Sequence, residues 1–386
     1  MVNGTRVVVL GAGIVGAACA RELAREGFAV TVLDRDRPAS ATTAHGEGNI
    51  LVSDKGPGPE LELAGLSLEL WPGIVPAHPA AEWDPKGGIV VAATPEGARD
   101  LENFAESQRL AGVEAESLDA ATLANAEPHL TRDVAAAVHY PQDAQVQPVA
   151  AATALLSDAL AAGAVLRTGC EVLGAATRGS RLTGVRTSLG TIEGDVVVNA
   201  AGPWSGEVAA RLGAPLDVRP RRGEVLVTTP RPPTVFHKVY DADYVGAVGS
   251  GDQELQASAV VESTRAGTIL LGSSRRRVGF DDRLRPEVLS VIARKALRLF
   301  PSLAGVPVMR AYGGFRPYVA DHLPVIGPDP RLDGLWHATG HEGAGIGLAP
   351  GTARVLADLL LDRAPALDAA PFSPARPAVL PEGQSA

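Results

Sequence analysis

The stretch from Thr5 to Asp34 leaves this chain few folds to choose from. Arg6-Val7-Val8-Val9-Leu10 is a short β-branched apolar run of the kind that fills a buried parallel strand. Gly11-Ala12-Gly13-Ile14-Val15-Gly16 follows at once, Ala17 to Glu26 has the spacing of a helix, and Val30-Thr31-Val32-Leu33 is a second strand that ends on Asp34. Each part has a physical task. Gly11 permits the tight turn off the strand, Gly13 leaves room for a pyrophosphate against the backbone, and Gly16 lets the helix lie close to the sheet. The helix N-terminus offers unpaired N–H groups and a partial positive charge to phosphates. Asp34 accepts hydrogen bonds from ribose hydroxyls, and its charge disfavours a 2′-phosphate. In this context Gly-x-Gly-x-x-Gly reads as a dinucleotide site, with NAD and FAD both open.

Length and composition admit an enzyme of more than one part. At 386 residues the chain can bury a full core. Its 46% hydrophobic and 20% charged residues are ordinary for a globular protein. A net charge of −9 without a basic stripe argues against nucleic acid as a partner. No apolar run approaches a membrane span and no signal-peptide pattern opens the chain, so a cytoplasmic protein is expected. Cys19 and Cys170 lack metal-ligand spacing and read as small buried residues.

After Asp34, residues 35–49 form a polar link whose Ser, Thr and Gly bring hydroxyls and amides to a ligand. Pro59 to Leu70 has helical spacing. A strand at Gly87 to Ala93, helices over Pro95 to Ala111 and Asp119 to Glu127, and a strand at Ala135 to His139 then look like an insertion. A helix over Val149 to Ala162, the strand Val165-Leu166-Arg167 and a β-meander from Glu171 to Ser188 follow. Val196 to Trp204 is a buried strand ending in Asn199-Ala200-Ala201-Gly202, where bare backbone can touch a ligand. Leu216 to Thr229 is a strand interrupted at Pro220-Arg221-Arg222-Gly223, Pro286 to Phe300 a helix, and Val308 to Ile326 two short strands around Phe315-Arg316-Pro317. Leu335 to Thr339 leads through Gly340-His341-Glu342-Gly343-Ala344-Gly345-Ile346-Gly347 into a helix from Ala349 to Leu361.

That second glycine-rich loop separates the two cofactors. A nicotinamide dehydrogenase needs one dinucleotide turn, whereas the positive end of a second helix suits an anionic ring such as a reduced flavin. On these residues the chain resembles the FAD-dependent amine and amino-acid oxidoreductases of the D-amino-acid oxidase group, which includes glycine oxidase, sarcosine oxidase and the D-amino-acid dehydrogenases. The motifs run in order along nearly the whole chain: Gly11 to Gly16 with Asp34, Val198 to Trp204, Gly314-Phe315-Arg316-Pro317 with Asp321 to Gly327, and Gly340-His341 through Pro350. Glu47 to Lys55 and Gly340 to Gly345 look most like catalytic subunits of proline and D-hydroxyproline dehydrogenases.

The resemblance implies an α/β fold, a Rossmann-type FAD-binding domain from 1–86, 148–215 and 306–365 with an inserted antiparallel-sheet substrate domain from 87–147 and 216–305, and a surface tail at 366–386. It implies that Gly11, Gly13, Ile14, Val15, Gly16, Asp34 and Arg35 hold the ADP half of FAD. Thr42, Thr43, His45, Gly46, Gly48 and Asn49 pass along the pyrophosphate and isoalloxazine. Val172 meets the adenine, Ala200, Gly202 and Trp204 add bare backbone and a ring, and Gly343, Ala344, Gly345, Ile346 and Gly347 line the flavin pyrimidine. Arg316 clamps a substrate carboxylate, with Gly343 standing where some family members carry a second Arg; the bland reading of Arg316 is an ion pair with Asp321.

The implied reaction takes hydride from the Cα of a small amino acid to flavin N5 and leaves an imine, with positioning as the main catalytic device. A secondary or cyclic substrate such as proline or hydroxyproline, or a D-amino acid, is the expectation. The alternatives are a sarcosine- or glycine-type oxidase producing hydrogen peroxide, or a non-catalytic electron-relay subunit; an electron-accepting partner subunit is a further expectation. FAD is expected to be non-covalent, although Thr43-Ala44-His45-Gly46-Glu47-Gly48 matches a run that links its His to FAD in dimethylglycine and sarcosine dehydrogenases, with Ala44 in place of their Trp. Tyr240, Tyr244 and His237 close over a substrate or are half-buried strand residues. Glu342 recognises the amine or a polar ring substituent, or caps the helix start. Arg221 and Arg222 are an electropositive patch or are solvated.

Overall fold

The computed structural model describes residues 4–243 and 254–381. The strand Arg6–Leu10, the helix Ile14–Arg25 and the strand Ala29–Leu33 form as the sequence dictates. They belong to a six-stranded sheet ordered Val325–Pro328, Leu335–Thr339, Val196–Asn199, Arg6–Leu10, Ala29–Leu33, Val165–Arg167. Its pairs are parallel except the first. Period-2 alternation explains the run of valines. Val7 and Val9 face a core shared with the helices Ile14–Arg25, Pro148–Ala161 and Gly345–Leu360, while Val8 and Leu10 face one shared with the meander Val172–Arg178, Arg181–Thr187, Gly190–Glu193.

The second sheet has eight strands, ordered Val308–Tyr318, Arg219–Thr228, Ile269–Arg275, Gln256–Ser263, Lys238–Asp241, Gly88–Ala92, Ala136–Tyr140, Glu116–Ser117. It is antiparallel except where Lys238–Asp241 meets Gly88–Ala92 in parallel. The helix Pro286–Leu299 lays Val288, Ile292, Ala296 and Leu299 on one face of this sheet, against Leu226 and Leu271 among others. Val225 and Gly272 thereby turn to the opposite face, which looks towards the nucleotide unit.

Several elements depart from the sequence reading. Val308–Tyr318 is one continuous strand that pairs with Arg219–Thr228 along its length. Pro317 is tolerated because the strand is a sheet edge, where a missing N–H costs no inner ladder bond. Residues 308–318 therefore belong by pairing to the antiparallel sheet. The last long helix starts at Gly345, not Ala349, and contains Pro350. Its glycines serve packing: a Cβ at Gly351 would lie 2.5 Å from Ser67 Oγ. The expected surface tail is anchored, for Phe372 and Val379 are fully buried and Arg376 pairs with Asp321 at 2.6 Å. No helix among the described residues is long and apolar enough to cross a membrane.

Candidate active site

One continuous cavity runs between the two sheets, from Cys170 and Val172 at one end, past Gly11, Gly13, Ile14, Val15, Asp34 and Arg35, to Arg316 and Gly343 at the other. Gly11 sits at φ +108, and a Cβ there would lie 2.5 Å from Ala200 O. A Cβ at Gly16 would press into the Gly11 carbonyl group, whereas one at Gly13 would meet only Thr43 Oγ1, at 3.4 Å. The outer glycines are thus demanded by packing, and Gly13 presents bare backbone to the cavity. Asp34 is held by Ala12 N–H and Asp36 N–H, each at 2.8 Å, while lining the same cavity. Arg35 lies over the Trp204 ring at 4.3 Å. Arg211 donates to Glu171 and to Val172 O at 2.7 and 2.8 Å, closing the far rim.

Two helix N-termini meet this cavity. Neither Gly13 nor Ala344, their N-caps, makes a side-chain cap, and neither first turn holds an acid. Thr43 Oγ1 accepts from Ile14 N–H at 3.1 Å, and Thr42 donates to Phe315 O at 2.7 Å, so the link Thr42–His45 joins the first helix to the antiparallel sheet. A long groove with a fixed carboxylate at one end and two helix starts free of acids and of N-cap side chains fits an extended, doubly anionic dinucleotide with a ring at its far end. These residues fit FAD. Thr42, Thr43, His45, Gly46, Gly48, Asn49, Ala200, Gly202, Trp204, Gly345 and Ile346 also line the cavity. Gly16, Ala344 and Gly347 do not, and act through packing: a Cβ at Gly347 would lie 3.3 Å from Asn49 O.

At the other end Arg316 lies flat across its sheet. The space a Cβ would take at Gly223 is filled by the guanidinium, with Cζ 2.7 Å away, and a Cβ at Gly343 would lie 3.5 Å from Nε. Arg316 Nη1 donates to Ser274 O at 2.9 Å. Asp321 belongs to Arg376, so it is not the partner of Arg316. Glu342 sits at φ 47 and lines the cavity, but its carboxylate is spent on Arg221 and on His322 Nδ1, the latter at 2.8 Å. Burial pushes the Glu342 carboxyl up, yet the bond from His322 and the charge of Arg221 together hold it below its usual range. Arg221 and Arg222 are buried, not solvated; Arg222 donates to Asp282 O at 2.7 Å. Burial pushes the His341 imidazole down to about 3, so this ring is neutral and bonded to Thr352 Oγ1 at 2.8 Å.

The aromatic expectations fare differently. Tyr240 is wholly buried in the core with its O–H on Ser53 Oγ at 2.5 Å, and it does not line the cavity. Its neighbour Ser53 is tied in turn to Asp143, which explains why a tyrosine stands there: the hydroxyl completes a buried polar chain. His237 pairs with Glu127 at 3.0 Å, also away from the cavity. Tyr244 lies outside the described residues. His45 lines the cavity with Nδ1 on Ala41 O at 2.6 Å and its ring edge-on to Tyr312. Residues that sequence reasoning left without a role are Gly223 and Gly314 beneath the site, and Glu47 beside it. Only strand register reveals the glycines, because their partners come from distant parts of the chain.

Comparison with known proteins agrees with this geometry. Glycine oxidase of Pseudomonas aeruginosa is 31% identical over 96% of this chain and 98% of its own length. The crystal structure of glycine oxidase from Geobacillus kaustophilus matches with a TM-score of 0.86 at 28% identity, over 96% of this chain and 98% of that one. L-proline dehydrogenase from P. horikoshii shares the fold, with a TM-score of 0.87 at 23% identity over 97% and 98% of the two chains. A family model described as DAO, FAD dependent oxidoreductase, matches residues 6–359. With the dinucleotide groove and both glycine-rich loops inside that span, the chain belongs to the DAO family of FAD-dependent oxidoreductases.

Proposed function

We propose that this protein oxidises a small amino acid with a free carboxylate to the corresponding imine, glycine or an N-substituted or cyclic relative such as proline being the substrate class. The observation that carries this reading is Arg316, a guanidinium laid across a glycine-paved sheet face at the end of the FAD groove. A planar guanidinium suits bidentate carboxylate binding. The glycine at 223 lets the guanidinium lie against the sheet, and Gly343 lets the facing loop come close to it, so the pocket at this end is tight and suits a small substrate. The glycine oxidase relatives support the same class.

FAD, when bound, supplies the two-electron acceptor for the hydride that leaves the substrate Cα. Arg316 fixes the carboxylate and with it the direction of the Cα–H bond. The Arg221–Glu342–His322 group holds the loop at Glu342 in its left-handed turn, which keeps Gly343 beside Arg316. A glycine-type oxidase would reoxidise with dioxygen, and oxygen uptake with the substrate is its direct readout.

Arg316→Ala tests the reading. Loss of the charged hydrogen bonds should lower kcat/KM for the free acid by about a hundredfold, with FAD retained. Amides of the substrate should lose their disadvantage in the variant. Unchanged efficiency on the free acid, or loss of FAD, would make Arg316 a structural residue.

A further inference from the structure

The antiparallel sheet presents one face to the cavity, and its register says what stands there. Tyr312, Gly314 and Arg316 alternate along the edge strand, opposite Val225, Gly223 and Arg221. The pair Leu226 and Leu271 places Val225 and Gly272 side by side on that same face. Three of these positions are glycines, and each bare patch is covered from elsewhere. His45 Cβ stands 2.6 Å from where a Gly314 Cβ would be, Arg316 Cζ 2.7 Å from that of Gly223, and Glu47 Cδ 3.2 Å from that of Gly272.

Glu47 therefore lies on the same floor as Arg316, and both line the FAD-substrate cavity. Arg316 is bonded to the carbonyl of Ser274, two residues along the strand from Gly272. Two residues of strand span about 7 Å. Glu47 and Arg316 thus stand over neighbouring positions of one sheet face, as a ligand whose amine and carboxylate share one carbon requires.

The state of the Glu47 carboxylate points the same way. The residue is 8% exposed, and Oε1 has no hydrogen-bond partner among the described residues. Oε2 has only Asn49 Nδ2, at 3.4 Å. Nearby donors are engaged elsewhere: Tyr312 O–H points to Gly46 O, and Lys238 lies 3.5 Å from Glu262. A buried acceptor left open is costly unless something donates to it. Glu342, the other carboxylate at this end, is already spent on Arg221 and His322.

We propose that Glu47 receives the amino group of the substrate, its carboxylate accepting an amine N–H while Arg316 holds the substrate carboxylate. This rests on the amino-acid reading above and adds the residue that selects an amine over an alcohol. A buried carboxylate favours a cationic or N–H-rich group over a neutral hydroxyl, so a 2-hydroxy acid gains Arg316 but loses most of the contribution of Glu47.

The test is Glu47→Gln, which keeps the shape and removes the charge, with Glu47→Asp as the charge-retaining control. Anaerobic stopped-flow reduction of the FAD-loaded enzyme by glycine, sarcosine or proline gives the substrate dissociation constant. Titration of the flavin spectrum with acetate probes the carboxylate half alone. The amino-acid constant should weaken by about ten- to a hundredfold in Glu47→Gln, with Glu47→Asp intermediate. Acetate binding and FAD content should stay within about twofold of wild type. An unchanged amino-acid constant in Glu47→Gln overturns the proposal, and so does a variant that loses FAD, which would assign Glu47 to the cofactor. If Glu47→Gln does not fold, Glu47→Asp carries the same comparison, and equal weakening of amino acid and acetate overturns the proposal. Wild-type enzyme that none of these amino acids reduces removes the amino-acid reading itself, and this inference with it.

Discussion

Consider Gly223→Ala. A Cβ at this position would lie 2.7 Å from both Cζ and Nη2 of Arg316, well inside the separation of about 3.5–4.0 Å at which such atoms pack. The clashing group is the end of a flexible side chain, so the guanidinium yields and the backbone stays. Nη1 lies closer still, so a shift of roughly 1.5 Å is needed to relieve the overlap, and it takes the fork off the line from Ser274 O to the cavity. A hydrogen bond to a charged group contributes about 1.5–3 kcal/mol, so misaligning the clamp should lower kcat/KM by roughly ten- to a hundredfold on free amino acids. Alanine suits an extended residue at least as well as glycine, so unfolding free energy should change by less than about 1 kcal/mol. Steady-state kinetics on an acid and its amide, flavin content by absorbance and a thermal melt together read out each part. Wild-type efficiency in Gly223→Ala, or equal loss for acid and amide, would refute the assignment of Arg316 to the carboxylate. Gly16→Ala is the contrast: there the obstacle is the backbone at Gly11, and both FAD and stability should be lost.

Two further outcomes follow from single residues. His341 is buried with its pKa lowered to about 3 from an unfolded value of 6.5, so the unfolded chain binds a proton that the folded one refuses. The stabilisation is therefore present above pH 6.5 and is lost as pH falls towards about 3, at up to about 1.4 kcal/mol per unit; denaturation of wild type and His341→Gln between pH 7 and 4 should converge, and parallel curves would show that His341 is not the group. His45 lines the cavity with Nδ1 bonded to Ala41 O; acid precipitation should leave the flavin in the supernatant, and flavin in the pellet would establish a covalent link.

The sequence carried the nucleotide unit well because every part of it is local. Gly11, Gly13, Gly16 and Asp34 are placed by one strand, one turn and one helix, and no distant partner decides their positions. The strand that carries Arg316 was marked by its motif, but the setting of the guanidinium over Gly223 and against Ser274 O depends on distant strands. Tyr240 was not legible, because alternation along a strand leaves open which part of a sheet meets the cavity. The register Gly272, Val260, Tyr240, Val90 puts Tyr240 on the face that looks towards the nucleotide unit, but two strands away from Gly272, where the core around Ser53 covers it. Pro317 looked like a break only because sequence does not reveal that its strand is a sheet edge. Gly345 and Gly347 read as loop, although both lie in the helix, and Gly347 must be small for the helix to approach the strand at Asn49–Ile50. Gly223, Gly272 and Gly314 form a floor only after three strands from separate parts of the chain align, and the open carboxylate of Glu47 appears only above that floor.

The central claim is that this chain holds FAD in the groove between its sheets and passes substrate electrons to it. Anaerobic addition of glycine, sarcosine or proline to the purified protein, followed by absorbance, tests that claim most directly. The account predicts an oxidised flavin spectrum that bleaches fully with at least one of these amino acids and returns when an acceptor is admitted. A protein with no flavin spectrum, or a bound flavin that all three leave oxidised, would contradict it.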